Sequence, residues 1–489
     1  MPELFIDSTW RPAAEGGRRE VVNPYDGEAF TTVDEASAPD AEAAVLAARR
    51  AFDTGPWPRT GVQERSALLR RVADLLERDR EEIARTETLD TGKTLVESRI
   101  DVDDVAAVFR YYAEQVLVEV DRTVDVGRDD VVSRVVHHPV GVCTLIAPWN
   151  YPLLQMSWKV APALAAGNTV VLKPSEVTPL STVHLVRLLV EAGVPDGVVN
   201  LVLGAGSAVG PVLTEHPAVD LVSFTGGLET GRAILRSTAQ TVKRTTVELG
   251  GKNPQLVFAD ADLERAADTV LTGVFLHAGQ VCSAGTRLIV EESIADELVA
   301  RVAERARRVR LGNGLDEGTE SGPLVSAVHR EKVEGYVRLG LQEGARLVTG
   351  GRRPADPDLA RGFFYEPTIF DGCDRSMRLV QEETFGPIMT VERFRTEAEA
   401  VELGNDTAYG LAGGVQTGDD ERGERVARAL RHGTVWINDF GPYVPQAEWG
   451  GMRMSGNGRE LGPAGLAEYR ETQHVWRNTK PAAADWFKG

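Results

Sequence analysis

The spacing of apolar residues divides the chain into segments of different kinds. Within residues 36–118, apolar positions recur at the helical period, as in DAEAAVLAARRAF and SALLRRVADLLERDREEIA, which predicts a helical region. Residues 119–139 differ, because valines alternate there with charged residues and so predict exposed, extended strands. The stretch AEYRETQHVWRN, after Gly462, alternates in the same way and could pair with 119–139. Since an unpaired strand edge invites association, two such strands suggest a protruding arm for subunit contact.

Short β-branched runs alternate with helix-like stretches from residue 140 onward. The first series contains VGVCTLIAPWN, NTVVLKPS, VVNLVLG, DLVSFTGG and TTVELGG. This alternation predicts right-handed βαβ units and an α/β fold with parallel sheets covered on both faces. A second strand and helix series begins near Asn253 and extends to about residue 440. Its first elements are predicted as strands Leu256–Phe258 and Arg287–Glu291 and helices Asp262–His277 and Ser293–Val309.

Composition and charge narrow the classes of function. A chain of 489 residues allows about three domains. The net charge of −19, from 54 basic and 73 acidic residues, argues against nucleic-acid or anionic-membrane binding and weakly favours cationic ligands. No apolar stretch is long enough for a membrane span, and the start MPELFIDSTWRPAAEGG does not resemble a signal peptide. The three cysteines do not make a disulfide framework and fit a reducing cytoplasm.

Cys282 is the cysteine with a chemically informative context. It stands in FLHAGQVCSAGTR, where small residues let backbone and ligand approach closely and a nearby backbone N–H could serve an oxyanion. A lone cysteine is more often a buried structural residue. Cys143, inside an apolar strand, and Cys373, in a polar turn, are interpreted in that way.

Glu248 and Asn150 each end a predicted strand, where open α/β sheets place ligand chemistry. Partial burial would raise the pKa of the Glu248 carboxyl and make it a base for activating water. Pairing with a lysine is the ordinary alternative for such a carboxylate. The Asn150 amide could stabilise an oxyanion, or it could simply cap a turn or helix.

Two further strand ends suggest a cofactor site. Lys173 and Glu176 in LKPSE could hold ribose hydroxyls. Gly226 and Gly231 in FTGGLETG bracket the start of a helix whose N–H groups could hold a pyrophosphate. As a bare pattern this second motif is weak, because it is not GxGxxG.

Seven motifs in order make the chain resemble the aldehyde dehydrogenase superfamily over essentially its whole length. They are PWNYP, LKPSE, SFTGG, ELGGKNP, GQVCSAG, EETFGP and WGGMRMSGNGRELG. The resemblance implies a Rossmann-like NAD-binding domain at 1–118 and 140–251, an α/β catalytic domain at 252–450, and a β oligomerisation arm at 119–139 and 463–489. It also implies a homo-oligomer, either dimer or tetramer. Some relatives hold a structural potassium ion, but no metal site is predicted here.

The same resemblance assigns residues to roles, motif by motif. It implies that Cys282 is the nucleophile, Glu248 the general base and Asn150 the side-chain oxyanion donor, beside the Cys282 backbone N–H. The residues expected at the cofactor are Trp149, Lys173, Ser175, Glu176, Gly226, Gly227, Gly231, Leu249, Glu383 and Phe385. Many relatives have serine at the position of Gly227, so one hydrogen bond to the pyrophosphate is expected to be missing. Glu176 favours NAD over NADP by repelling a 2′-phosphate, but related enzymes can use both, so NADP stays open.

Three aromatic residues are the substrate candidates: Tyr151, Trp158 and Trp449. Packing is their ordinary role, but together they could surround a trimethylammonium or ammonium head, with each cation–π contact contributing about 0.5–2 kcal/mol. They are similar to the aromatic residues of betaine aldehyde and aminoaldehyde dehydrogenases within the superfamily. Leu276 stands where plant relatives often carry tryptophan, so one wall is expected to be aliphatic.

The expected reaction is therefore NAD-dependent oxidation of a small cationic aldehyde, betaine aldehyde, to glycine betaine through a cysteine thioester. Asp101 and Asp104 resemble acidic residues at the pocket mouth of aminoaldehyde-oxidising relatives, or they form a solvated helix face. Hence 4-aminobutyraldehyde, 3-aminopropionaldehyde and trimethylaminobutyraldehyde stay open, and plain aliphatic aldehydes are less favoured. Glu248 argues against a CoA-acylating enzyme, and the presence of both Cys282 and Glu248 argues against a non-catalytic relative.

Overall fold

Two large sheets, each mainly parallel, carry the alternation of strands and helices. They are seen in a computed structural model that describes residues 2–118, 121–482 and 486–487. The strands are β1 Leu4–Ile6, β2 Thr9–Arg11, β3 Arg18–Asn23, β4 Glu28–Asp34, β5 Arg122–Val124, β6 Val131–Pro139, β7 Val142–Ile146, β8 Thr169–Lys173, β9 Val199–Leu201, β10 Leu221–Gly226, β11 Arg244–Leu249, β12 Pro254–Val257, β13 Arg287–Glu291, β14 Arg346–Thr349, β15 Thr368–Asp371, β16 Ile388–Phe394, β17 Ala412–Gln416, β18 Thr434–Ile437, β19 Gly456–Asn457 and β20 Arg470–Asn478.

Helices connect most of these strands, and the region 36–118 is helical as predicted. The helices are α1 Ala38–Thr54, α2 Val62–Arg78, α3 Arg80–Thr91, α4 Leu95–Val118, α5 Pro152–Ala166, α6 Leu180–Glu191, α7 Gly206–Glu215, α8 Leu228–Thr238, α9 Leu263–Phe275, α10 Ala295–Ala306, α11 Ala327–Gln342, α12 Arg378–Gln381, α13 Glu397–Gly404, α14 Asp420–Ala429 and α15 Gly462–Ala467. In the described part of the chain, no helix is both long enough and apolar enough to cross a membrane.

The first sheet has the strand order β19-β11-β10-β7-β8-β9-β1-β2, and its strands from β11 to β9 run parallel. All residues of β7 and β8 are buried, as expected for strands covered on both faces. The short edge strand β19 returns from the C-terminal part of the chain and pairs with β11, placing Gly456 beside Glu248. As a result, residues near 449–460 pack against the first sheet although they lie about 200 positions later in sequence.

The second sheet has the order β14-β15-β16-β13-β12-β17-β18, and only β14 is antiparallel to its neighbour. The strand predicted at Arg287–Glu291 has the predicted bounds, and the one predicted at 256–258 covers Pro254–Val257. The two sheets therefore confirm the parallel α/β fold.

The predicted pairing between the two exposed alternating segments is confirmed. β20 pairs antiparallel with β6 over nine residue pairs, from Arg470 with Pro139 to Asn478 with Val131. β5 adds a third strand to this small sheet. Residues 119, 120, 483–485, 488 and 489 of the predicted arm lie outside the described residues.

The helix predicted at Asp262–His277 ends earlier than its sequence pattern indicates. Asp262 caps α9 by accepting hydrogen bonds from the N–H groups of the next turn, and the regular helix stops at Phe275. The backbone then turns sharply, with positive φ at His277 and Ala278. Left-handed conformations are rare for such residues and cannot continue an α-helix, so this kink redirects the chain toward Cys282. The helix predicted at 293–309 is likewise shorter and covers Ala295–Ala306.

Candidate active site

The predicted catalytic and cofactor residues meet because the carboxyl ends of parallel strands lie along one edge of a sheet. Asn150, Lys173, Gly226 and Glu248 follow or end β7, β8, β10 and β11 at that edge. A cavity of about 940 Å³ opens there, between the two large sheets. The sequence-predicted residues that line it are Trp149, Asn150, Lys173, Ser175, Glu176, Gly226, Gly227, Glu248, Leu249, Cys282, Glu383 and Phe385.

Four of the predicted site residues do not line this cavity: Gly231, Tyr151, Trp158 and Trp449. Gly231 lies in the first turns of α8, where an added Cβ would come within 2.6 Å of the Leu249 side chain. Its smallness therefore lets α8 pack closely on β11, which brings the helix N-terminus to the cavity.

Cys282 sits in the loop that follows the kink after α9, and Asn150 is tied to the same loop. The Asn150 side chain is buried, and its Nδ2 donates a hydrogen bond to the Gln280 carbonyl at 2.9 Å. Burial raises the pKa of the Cys282 thiol to about 12, with Glu383 and Glu248 acting in the same direction. The resting thiol is therefore protonated at neutral pH and needs a base before it can attack.

Glu248 has the properties of such a base. Its carboxyl is buried at the end of β11, and no side chain of the described residues donates a hydrogen bond to it. Burial, followed by the neighbouring Glu460 carboxylate, holds its pKa well above the usual range, and Lys159 opposes that shift. The lysine is not paired with Glu248, because Lys159 donates to Glu460 and, at 2.7 Å, to the Thr225 hydroxyl. The ordinary explanation of a strand-end ion pair is thus not what the structure shows.

Glu383 and Phe385 form the wall opposite the strand ends. The Glu383 carboxylate accepts a hydrogen bond from the Gly251 N–H at 3.2 Å, and burial raises its pKa to about 7. A side chain at Gly250 would displace the Glu383 carboxylate, since a Cβ there would lie 1.9 Å from a Glu383 oxygen. The Phe385 ring meets Trp149 edge-on, with 5.2 Å between ring centroids.

Sequence reasoning missed His329 and Lys332, which also line the cavity. His329 Nε2 lies 2.7 Å from the Phe385 carbonyl oxygen, and Phe385 has a positive φ of 56°. This bond supports an unusual backbone conformation at the residue that places the ring. Both residues belong to α11, and no recognised motif in the surrounding sequence pointed to them.

The other end of the cavity is suited to a polar, anionic ligand. Lys173 and Glu176 form an ion pair at 3.0 Å, and both face the cavity. Gly227 is the N-cap of α8, so the first N–H groups of an 11-residue helix point toward the opening. A Cβ at Gly227 would meet no atom within 4 Å, so this end remains open.

The aromatic candidates divide into two groups. Trp158 and Trp449 contact each other with ring centroids 5.8 Å apart, and Tyr443, which sequence reasoning missed, touches both at 5.2 and 6.0 Å. We call Trp158, Tyr443 and Trp449 the aromatic trio. Because its rings touch one another, a cation would lie against the trio rather than between its members. No local sequence pattern pointed to Tyr443, because it lies in a loop 285 positions after Trp158.

Tyr151 stands apart from the trio, so the three predicted aromatic residues do not form one cluster. It is the N-cap residue of α5 rather than a helical residue. The ammonium group of buried Lys93 lies 4.0 Å from its ring centroid, and His277 meets the ring edge-on at 5.6 Å. Tyr151 is nevertheless close enough to both Cys282 and Tyr443 to be coupled to them electrostatically.

The two aspartates of α4 have different surroundings, and the sequence interpretations are wrong for Asp101. Asp101 is neither at a pocket mouth nor on a solvated face, because it is buried and paired with Lys93 at 2.6 Å. Asp104 is half-buried and accepts a hydrogen bond from the Tyr443 hydroxyl at 2.6 Å. Only Asp104 therefore places a carboxylate beside the aromatic trio. Leu276 is 44% exposed and lies in the kinked turn after α9.

Comparison with known proteins agrees with this architecture. The family model described as the aldehyde dehydrogenase family matches residues 10–475. The chain is 56% identical over 484 residues to a betaine aldehyde dehydrogenase of Bacillus subtilis, with 99% of each chain covered. It is 44% identical over 494 residues to aminoaldehyde dehydrogenase 2 of Zea mays, covering 99% of this chain and 97% of that one.

A solved structure gives the same result in three dimensions. The crystal structure of a Staphylococcus aureus betaine aldehyde dehydrogenase in complex with NAD+ superposes with a TM-score of 0.99 at 50% identity, covering 100% of this chain and 97% of that chain. The match of the family model, the full-length identity and the shared fold lead to one conclusion. This chain belongs to the aldehyde dehydrogenase family.

Proposed function

We propose that this protein is an NAD-dependent dehydrogenase that oxidises betaine aldehyde to glycine betaine. The observation that carries the proposal is that Cys282, Asn150 and Glu248 line one cavity together with Glu383 and Phe385. A nucleophile, an oxyanion donor, a buried base and a cofactor wall are the parts that aldehyde oxidation through a thioester requires.

In the proposed mechanism, Glu248 takes the proton from the Cys282 thiol. The sulfur attacks the aldehyde carbon, and the negative charge that develops on oxygen is held by the Asn150 side-chain N–H and a backbone N–H. Bound NAD+ supplies the acceptor for the hydride that leaves this carbon. What remains on Cys282 is a thioester. Glu248 passes the first proton to solvent and then takes a proton from water, the water oxygen attacks the thioester carbon, and the C–S bond breaks, so that the acid leaves as the carboxylate and the sulfur regains its proton.

The residues at the cofactor end fit a dinucleotide. The cavity is large and extended, and Glu176 can accept hydrogen bonds from ribose hydroxyls while Lys173 donates to them. The N-terminus of α8 at Gly227 suits a pyrophosphate, since its partial positive charge and free N–H groups favour anions. The carboxylate of Glu176 disfavours a 2′-phosphate, which supports NAD rather than NADP. The S. aureus relative was crystallised with NAD+.

The case for a cationic aldehyde rests on the surroundings of the aromatic trio. Trp158, Tyr443 and Trp449 offer electron-rich rings, and Asp104 adds a carboxylate next to Tyr443. A quaternary ammonium head is attracted by both, with each cation–π contact contributing about 0.5–2 kcal/mol. The B. subtilis relative is named for betaine aldehyde.

Aminoaldehyde oxidation is the second candidate, and Asp104 is the observation that favours it. A primary ammonium group can donate hydrogen bonds to a carboxylate, whereas a trimethylammonium group cannot. The Z. mays relative is named as an aminoaldehyde dehydrogenase. The candidates with a primary ammonium group are 4-aminobutyraldehyde and 3-aminopropionaldehyde. Trimethylaminobutyraldehyde, the third aldehyde of this class, has a quaternary head that Asp104 attracts by charge alone.

A panel of aldehydes tests the function directly. NADH formation is followed with betaine aldehyde, the three aminoaldehydes and a neutral aliphatic aldehyde of similar size, and kcat/KM is compared. We expect betaine aldehyde to have the highest value and Cys282→Ala to form no NADH. A higher kcat/KM for an aminoaldehyde would favour the second candidate. A neutral aldehyde used equally well would overturn the cationic-substrate proposal, and full activity of Cys282→Ala would overturn the thioester mechanism.

We further propose that the three-stranded sheet of β5, β6 and β20 is an oligomerisation arm and that the protein is a homo-oligomer, either dimer or tetramer. Among the described residues, β20 has a strand partner on one side only, so its other edge can pair with a second copy. On this proposal, the first sheet belongs to the NAD-binding domain and the second to the catalytic domain. Light scattering on the purified protein, and on a variant with proline at Val475, tests whether assembly depends on that edge.

A cytoplasmic location is part of the same proposal. The three cysteines are unpaired, which fits a reducing compartment. Fractionation of cells that express the protein would locate it, and recovery outside the cytoplasm would contradict this part of the proposal.

A further inference from the structure

Asn253 is a buried residue that contacts the loop at residues 280–286, which contains Cys282 and is called the cysteine loop. It belongs to neither of the strands at whose ends Asn150 and Glu248 lie. It lies between β11 and β12, directly after Gly250, Gly251 and Lys252 of the ELGGKNP motif. Its side chain is 1% exposed. A buried amide of this kind is retained at little cost only when its hydrogen bonds are made.

The Asn253 amide makes three hydrogen bonds, all to backbone groups. Its Nδ2 donates to the Cys282 carbonyl and to the Ala284 carbonyl, each at 2.9 Å. Its Oδ1 accepts from the Ala412 N–H at 3.0 Å, which anchors the amide to the first residue of β17. Asn253 thus ties the cysteine loop to the second sheet, and both N–H groups of its amide are used on the loop.

The remainder of the loop is held by backbone hydrogen bonds. The Ala284 N–H donates to the Val281 carbonyl at 3.0 Å, and the Gly285 N–H donates to the Gly273 carbonyl at 2.8 Å. The peptide groups on both sides of Ser283 are therefore oriented, one through the Cys282 carbonyl and the other through the Ala284 N–H.

The direction of one N–H follows from the planarity of the peptide bond. The Cys282 carbonyl and the Ser283 N–H belong to the same trans peptide group, so they point in opposite directions. Because Asn253 draws the carbonyl to its own side, the N–H is turned to the opposite side. The backbone N–H groups of Ser283 and Cys282 both reach the thiol and lower its pKa.

These two N–H groups oppose the other influences on the thiol. Burial, the Glu383 carboxylate and the Glu248 carboxylate all disfavour the thiolate, and Tyr151 also lies within electrostatic range. Among the groups with the largest effect on the Cys282 thiol, the ones that lower its pKa are these two backbone N–H groups. Backbone N–H groups are therefore the stabilising groups that this loop supplies to the nucleophile.

We propose that Asn253 is a positioning residue that holds the Cys282 and Ala284 carbonyls and thereby directs the Ser283 N–H at the attacking sulfur. Its role rests on the proposed function, in which Cys282 is the nucleophile. Gly251 is adapted to the same arrangement, since a Cβ there would lie 2.3 Å from Asn253 Oδ1.

Two variants separate the donors of Asn253 from its bulk. Asn253→Asp keeps the shape and the acceptor for the Ala412 N–H but removes both donors, and Asn253→Ala removes the amide without adding charge. Asn168→Ala is a matched control. Buried Asn168 also donates to two carbonyls, of Ala163 at 3.0 Å and Tyr469 at 2.9 Å, and accepts one N–H, from Gly141 at 2.9 Å, away from Cys282.

The measurement is the pH dependence of Cys282 alkylation by iodoacetamide, followed by mass spectrometry of the Cys282 peptide so that Cys143 and Cys373 do not interfere. We expect both Asn253 variants to show a higher apparent pKa and an alkylation rate at pH 8 that is about five- to tenfold lower, as for loss of one hydrogen bond. We expect kcat to fall to a similar extent while the KM for the aldehyde changes little. Asn168→Ala should keep the wild-type profile even where its thermal stability falls equally.

A wild-type alkylation profile in folded Asn253→Asp or Asn253→Ala would overturn the inference, as would an equal shift in Asn168→Ala. If Asn253→Ala does not fold, the isosteric Asn253→Asp variant decides the question. Alkylation requires no aldehyde, so the result is independent of the substrate. An unshifted profile in an active enzyme would count against Asn253 alone, whereas a shifted profile in a protein that oxidises no aldehyde would count against the proposed function alone.

Discussion

Replacing Asn150 by alanine separates an interaction made with the transition state from one made within the protein. The Asn150 Nδ2 carries two N–H groups. One donates to the Gln280 carbonyl at 2.9 Å, and no second acceptor is bonded to this side chain within the described ranges. The second N–H is therefore free for the oxyanion that develops when Cys282 attacks.

The two losses have different magnitudes and different readouts. Removing one oxyanion donor costs about 3 kcal/mol in the transition state, which corresponds to a decrease of roughly 10²-fold or more in kcat. Leaving the buried Gln280 carbonyl without its donor costs about 1–3 kcal/mol in the free energy of unfolding. We therefore expect Asn150→Ala to remain folded at room temperature with little change in the KM for the aldehyde but with kcat reduced by about two orders of magnitude.

The assay compares kcat and denaturant unfolding for the wild type, Asn150→Ala and a control, Asn200→Ala. Buried Asn200 donates to the Gly197 carbonyl at 2.9 Å and accepts from the Asp7 N–H at 3.0 Å, at β9 and far from the cysteine loop. Its loss should lower stability by a similar amount and leave kcat unchanged. A decrease of less than about threefold in kcat for Asn150→Ala, against the roughly 10²-fold expected for one donor, would refute the reasoning. So would an equal decrease in the control.

Three further predictions follow from the buried carboxyls. Glu248→Gln removes the base that both the attack of Cys282 and the hydrolysis of the thioester require, so rapid mixing should show no first-turnover burst of NADH and steady-state turnover should be lost; undiminished steady-state turnover would contradict this. The pKa of Glu383, about 7, lies above its ordinary value of 4.5, so its contribution to stability is complete below about pH 4.5 and is lost as the pH rises through 7. Between pH 5 and pH 8, the free energy of unfolding of the wild type, measured with denaturant, should fall by up to about 3 kcal/mol more than that of Glu383→Gln. An equal fall in both proteins would contradict this prediction. Lys159→Met should cost about 3–5 kcal/mol of unfolding free energy by leaving Glu460 buried without its cation, and adding Glu460→Leu should restore part of that loss. No recovery in the double variant would show that the cost has another origin.

Local sequence patterns were sufficient to predict the strands and helices that surround the cavity. The apolar runs of β7, β8, β10 and β11 and the helical spacing between them predicted a parallel sheet. Residues that follow such strands then share one edge for topological reasons. This is why the amino-acid sequence alone predicts that Asn150, Lys173 and Glu248 lie together.

Contacts between distant parts of the chain could not be predicted in this way. Glu460 pairs with Lys159 across 301 positions, and Tyr443 bonds to Asp104 across 339. Neither pairing has a local pattern, because both depend on the return of the C-terminal segment along β11 as β19. The solvated-face interpretation of Asp101 failed for another reason: this aspartate is buried and paired with Lys93, eight positions earlier, and burial is decided by the packing of the folded chain.

By itself, the sequence determined the α/β fold, the pairing of β6 with β20 and most of the predicted residues that line the cavity. Periodicity and strand ends are local properties, so they are encoded where they occur. Only the tertiary structure decided the pKa values and the orientation of those residues. Burial raises the pKa values of Cys282, Glu248 and Glu383, Asn253 orients the cysteine loop, and Tyr443 completes the aromatic trio. Burial and hydrogen-bond direction depend on which distant segments pack around a residue, and a linear pattern does not contain that information.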